Sequence, residues 1–118
     1  MTKLTHSETL KGLANAAEAF NEYGDMTTAQ IRVFLLVARM SKVTGTDIVK
    51  RLGISKANAA RTLTILSDET LMRRKADTLG LITYESDPFD KRYRYAVLTE
   101  KGKQFASQLT RTFSNLSD

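Results

Sequence analysis

The stretch that decides the fold is Gly45-Thr46-Asp47-Ile48-Val49-Lys50-Arg51-Leu52-Gly53-Ile54-Ser55-Lys56-Ala57-Asn58-Ala59-Ala60-Arg61-Thr62-Leu63-Thr64-Ile65-Leu66. The Thr44 side chain can accept from the free amide three residues on while Asp47 reaches back, so a short helix starts here, carrying Ile48, Val49 and Leu52. Gly53 ends it. Ser55 then caps a second helix with Ala59, Leu63 and Leu66 on its inner side. Two short helices about a tight turn make a helix-turn-helix over 45–66. Ile48, Leu52, Ile54, Ala59 and Leu63 can hold both helices to one core, which leaves Lys56, Ala57, Asn58, Ala60, Arg61 and Thr64 facing elsewhere. With Ser55 at the helix start, these are the candidate DNA-contacting residues. Asn pairs with adenine and Arg with guanine through two hydrogen bonds each, small Ala57 and Ala60 permit close approach, and Lys56 suits a phosphate. A solvated helix face is the plainer reading of the same residues.

Working outward, two further helix starts precede this unit. Thr27 with Gln30 leads into Ile31, Phe34, Leu35, Val37, Ala38 and Met40. Thr5 with Glu8 opens a helix whose apolar residues Leu10, Leu13, Ala14, Ala17 and Phe20 are expected on one face until Gly24. After Gly80 the period changes: Leu81-Ile82-Thr83-Tyr84 are strand formers, Asp87-Pro88-Phe89-Asp90 is turn chemistry, and Tyr93, Tyr95 and Val97 alternate. One hairpin over 80–98 follows. Thr99 opens a last helix with Phe105, Ala106, Leu109, Phe113 and Leu116 on one face. The expected fold is mainly α with some β (α+β), a winged helix-turn-helix with N- and C-terminal amphipathic helices, in one domain spanning 1–118.

Composition narrows the function classes. The chain is 118 residues long with a net charge of +5, and the excess is central: Arg39 to Lys103 carries 14 Lys/Arg against 8 Asp/Glu. A polyanionic partner fits this balance. Cysteine is absent, the single histidine His6 has no ligand partner at metal spacing, and no glycine-rich phosphate loop occurs, so neither catalysis, metal nor cofactor is expected. No apolar run follows Met1 and none approaches the length of a membrane span, so a cytoplasmic protein is expected.

At the hairpin tip Lys91, Arg92 and Arg94 stand beside two aspartates, and Arg92 is the candidate for minor-groove insertion. Arg73-Arg74-Lys75, between the second helix and the hairpin, is either an additional phosphate-binding loop or a solvated charged one.

Met26-Thr27-Thr28-Ala29-Gln30, Asp47 to Leu66, Gly80-Leu81-Ile82, Asp90-Lys91-Arg92 and Leu98-Thr99-Glu100-Lys101-Gly102 together resemble the MarR family of winged-helix regulators. The Asp-x-Arg of the wing and the Leu-Thr-x-x-Gly junction are its most specific parts. Tyr84 departs from it, standing where a basic residue is common. The resemblance implies that Asp90 orients Arg92 through an ion pair. It also implies a homodimer built by 1–24 and 99–118, through Leu10, Leu13, Ala17, Phe20, Phe105, Leu109, Phe113 and Leu116. Such a dimer would act as a repressor or activator on double-stranded DNA at a pseudo-palindromic operator, with any small-molecule effector unassigned. The alternative is a winged-helix module that docks a protein partner. The two differ in whether Asn58, Arg61, Arg92 and the basic insert share one positive face.

Overall fold

The structure, a computed structural model, describes residues 3–68 and 78–114. Among the described residues the order is α1 (His6–Asn21), α2 (Thr28–Met40), α3 (Gly45–Leu52), α4 (Lys56–Leu66), β1 (Ile82–Ser86), β2 (Arg94–Leu98) and α5 (Glu100–Ser114). This is the mainly helical winged helix-turn-helix expected. Each of the first three helices starts at a closed capping box, Thr5 with Glu8, Thr27 with Gln30 and Thr44 with Asp47, so orphan first-turn amides are satisfied locally. Ser55 caps α4 by accepting from the Asn58 amide at 3.0 Å. Gly53, at φ 67°, closes α3 in the left-handed conformation that favours glycine.

The core lies where α1, α2 and α5 converge. Phe105 is its centre, with ring centroids of Tyr23, Phe20 and Phe34 at 4.7, 5.1 and 5.2 Å in tilted or edge-on geometry. Val33, Val37, Ile48, Leu63 and Leu66 extend this core beneath the helix-turn-helix. The α1 face differs from expectation. Its inward side is Gly12, Ala19 and Phe20, whereas Leu10 and Leu13 are 54% and 55% exposed. At about 100° per residue, Leu10, Leu13 and Ala17 centre roughly 125° from Gly12, Ala16 and Ala19, with Phe20 on the boundary between the two groups. The apolar stripe of α1 is therefore wide, and only part of it is buried, with Phe113 of α5 lying over Gly12.

β1 and β2 pair antiparallel in the register Ile82↔Leu98 to Ser86↔Arg94. Two pairings outside the hairpin anchor its base. Val43, in the turn after α2, exchanges backbone hydrogen bonds with Ala96 at 3.3 and 2.7 Å, and the end of α4 binds the start of the wing through Leu81 N to Leu66 O at 2.8 Å. At the other end Thr99 Oγ1 donates to Gly80 O at 2.7 Å and accepts from the Gly102 amide at 3.0 Å, tying the first turn of α5 to the wing. The wing is thus clamped to three helices at its root.

Candidate nucleic-acid interface

Two lysines of the helix-turn-helix and two arginines of the wing meet across one groove of about 600 Å³, between the start of α3, one side of α4 and the wing, whereas Arg61 is not among its lining residues. Lys50, Lys56, Arg92 and Arg94 line it together with Ala60 and Tyr93, and among the described residues no carboxylate lines it. Lys56 and Ala60 were expected on this side. Lys50 of α3 was not, because a helix read as a support does not announce that its polar flank borders the same groove as the next helix.

On α4, Lys56, Ala57, Ala60 and Arg61 are exposed, while Thr64 is half-buried with its hydroxyl donating to Ala60 O at 2.9 Å. Asn58, one turn before Arg61, is less open than it. It is half-buried, and its Oδ1 accepts from Thr62 Oγ1 at 3.1 Å. The buried Thr62 hydroxyl needs an acceptor, and the residue one turn earlier is in reach. Adenine pairing by Asn58 would therefore have to share or displace that bond.

The wing tip is ordered by its own aspartates. Asp87 Oδ1 accepts from the Phe89 and Asp90 amides at 2.7 and 3.1 Å, and Asp87 Oδ2 accepts from the Tyr95 hydroxyl at 2.9 Å. The Phe89 amide, then the Tyr95 hydroxyl, hold the Asp87 carboxyl below the ordinary aspartate range, and the bond to Asp87 raises Tyr95. Asp90 grips Arg92 with both oxygens, Nε to Oδ1 at 3.0 Å and an η nitrogen to Oδ2 at 2.8 Å, and also accepts from the Arg92 amide at 3.1 Å. Arg92 thereby depresses the Asp90 carboxyl and is itself raised. Its side chain remains 86% exposed, so the guanidinium is oriented without being covered. On the neighbouring strand the Arg94 guanidinium lies 4.2 Å from the Tyr84 ring centroid. Tyr84 thus carries no charge of its own but supports one from across the ladder. Lys91 is exposed.

A model of the MarR family matches residues 24–78, the segment holding α2, α3 and α4. That segment is similar to the MarR family. Members of that family are DNA-binding transcriptional regulators rather than enzymes. Solved structures extend the likeness through the wing and α5. A transcriptional regulator from Thermotoga maritima is 19% identical, with 92% of this chain and 69% of that one covered at a TM-score of 0.71. A MarR-like transcriptional regulator from the same organism is 26% identical over 97% and 79% of the two chains, at 0.63. The adhesin competence repressor of Streptococcus pyogenes is 25% identical over 94% and 75%, at 0.56. No curated protein matches the chain.

The remaining expected residues fall elsewhere. Phe20, Phe105 and Leu109, expected at a dimer surface, are buried in the protomer's own core. Leu10, Leu13 and Ala17 stay exposed on α1, and Phe113 is half-buried over Gly12. Arg73, Arg74, Lys75 and Leu116 lie outside the described residues. A second cavity of about 560 Å³ opens between α2 and α5, walled by Phe34, Leu35, Leu36, Ala106 and Leu109 with Arg32 and Arg39 on its lining. Among the described residues no group of three or more His, Cys, Asp or Glu converges as a metal site, and no helix is long and apolar enough to cross a membrane.

Proposed function

We propose that the chain acts as a single domain over 1–118 that dimerises and binds double-stranded DNA sequence-specifically, with α4 in the major groove and the wing in the adjacent minor groove. The observation that carries this reading is the groove shared by α3, α4 and the wing, where Lys50, Lys56 and Arg94 converge with Arg92, itself paired with Asp90. A polyanion crossing there meets Lys50 and Lys56 on one wall and Arg92 and Arg94 on the other. Ala57, Ala60 and Arg61 present a slim helix face with one long bidentate donor, suited to base edges, while Lys56, Lys91 and Arg94 suit phosphates. Arg92, held by Asp90, is pre-oriented for the minor groove. Asn58 joins the base contacts on release from Thr62, and Thr64 and Ser55 border them. Arg73, Arg74 and Lys75 add phosphate contacts.

The exposed Leu10, Leu13 and Ala17 of α1 supply the apolar surface of the dimer, with Phe113 and Leu116 from the end of the chain. Two copies then set their α4 helices in successive major grooves roughly 10 base pairs apart on a pseudo-palindromic site. Occupancy of that site regulates transcription, and repression is the sign suggested by the S. pyogenes neighbour's name.

Selection of bound duplexes from a random pool, paired with sedimentation of free and bound protein, tests this. Enrichment of an inverted repeat by a two-copy complex is expected. A monomer that enriches no sequence overturns the reading in favour of protein docking.

A further inference from the structure

Phe89 sits at the extremity of the wing and is 98% exposed, the most exposed large hydrophobic residue described. Its display is enforced. The Asp87 carboxylate holds the Phe89 amide at 2.7 Å, the Tyr95 hydroxyl holds that carboxylate at 2.9 Å, and Asp87 N donates to Tyr93 O at 3.0 Å across the loop. Pro88 restricts the backbone immediately before it. A ring presented on so constrained a turn gains nothing from the fold and gives up its share of apolar burial. Around it the tip is charged: Lys91 and Arg92 supply cations, while the carboxylates of Asp87 and Asp90 are both occupied by hydrogen bonds within the wing. A protein-docking anchor sits in an apolar patch from which charge is depleted, which this tip is not. An aromatic flanked by cations matches a narrow polyanionic groove, where cations meet phosphates and the ring meets sugar edges or the gap between base pairs.

We propose that Phe89 is an apolar wedge that enters the minor groove beside Arg92 and opens a base step there, bending the duplex at each wing. The inference rests on the docking of the wing proposed above. Because the ring carries no charge, its contribution is independent of salt, unlike that of its basic neighbours.

The test uses the full chain and the duplex that the wild type recovers from a random pool, with 2-aminopurine placed in turn at each base step flanking the central repeat. Fluorescence of 2-aminopurine reports unstacking, and energy transfer between dyes on the duplex ends reports bending. The wild type should brighten one step per wing and shorten the end-to-end distance. Phe89→Ala should weaken binding about tenfold, as loss of one buried ring predicts. It should also abolish both optical signals and leave the slope of log affinity against log salt unchanged. Phe89→Leu should retain most of the affinity, and both variants should melt at the wild-type temperature. Wild-type affinity and bending in Phe89→Ala would overturn the wedge while leaving DNA binding intact. Altered sedimentation of Phe89→Ala without DNA would overturn it in favour of a contact between copies. A wild type that recovers no duplex would remove the wedge together with the function it rests on.

Discussion

Two buried helical glycines illustrate how differently the same residue type can be required. A Cβ on Gly102 would strike the backbone carbonyl of Leu81, which the wing root cannot move, whereas a Cβ on Gly12 would strike the Phe113 ring, which can turn aside. Gly102→Ala should therefore cost about 2 kcal/mol or more, within the usual range for overpacking, and Gly12→Ala clearly less, as read from urea midpoints. The exposed cations of α4 separate in another way. Arg61→Ala should cost about 1 to 3 kcal/mol of binding and relax preference at one base pair, while Lys56→Ala should weaken all sequences alike and lower the salt slope. Competition titrations over single-base variants of the selected duplex measure both; equal, sequence-independent losses would remove Arg61 from base readout. Arg61 was legible in the sequence because exposure follows from helical phase. Asn58 was not, since its partner is decided by which way the buried Thr62 hydroxyl turns.

At the scale of elements, caps and turns dominate. Ser55→Ala leaves the Asn58 amide without its acceptor at the start of α4 and should cost about 1 kcal/mol of unfolding free energy, while Ser55→Asp retains the cap. Calorimetry of the two variants distinguishes loss of the cap from loss of the hydroxyl as such. The wing responds to acid. Asp87 and Asp90 titrate below the ordinary aspartate value in the folded wing, so their stabilisation is complete above about 3.9 and is lost as pH falls through the lower folded values. The amide resonances of Phe89, held by Asp87, and of Arg92, held by Asp90, should therefore each titrate below that value, and a midpoint at or above it would mean that the tip is not held by these carboxylates. The caps were readable from sequence because each closes within about four residues, whereas the pair of Asp90 with Arg92 came from the family resemblance and the bond of Tyr95 to Asp87, eight residues apart, was not read. Nor was the pairing of Val43 with Ala96, for nothing local to Val43 distinguishes a hydrophobic residue beside a cap from one that adds a strand segment to a distant wing.

For the whole molecule, the exposed Leu10 and Leu13 on α1 predict where association acts. If the proposed dimer forms through α1, Leu10→Glu with Leu13→Glu should render the protein monomeric in sedimentation while sparing thermal stability of the protomer, because neither side chain is part of the core. A dimer that survives both changes would move the interface elsewhere. The sequence by itself determined the order of elements, three capping boxes, the helix-turn-helix and the turn of the wing, because periodicity and turn chemistry act over a few neighbouring residues. Only the tertiary structure decided which face of α1 is buried, that Phe20, Phe105 and Leu109 are core, and that Lys50 joins Lys56, Arg92 and Arg94 around one groove. Those outcomes depend on shape complementarity between segments far apart in the chain, such as Gly12 beneath Phe113, and a local pattern cannot specify its distant partner.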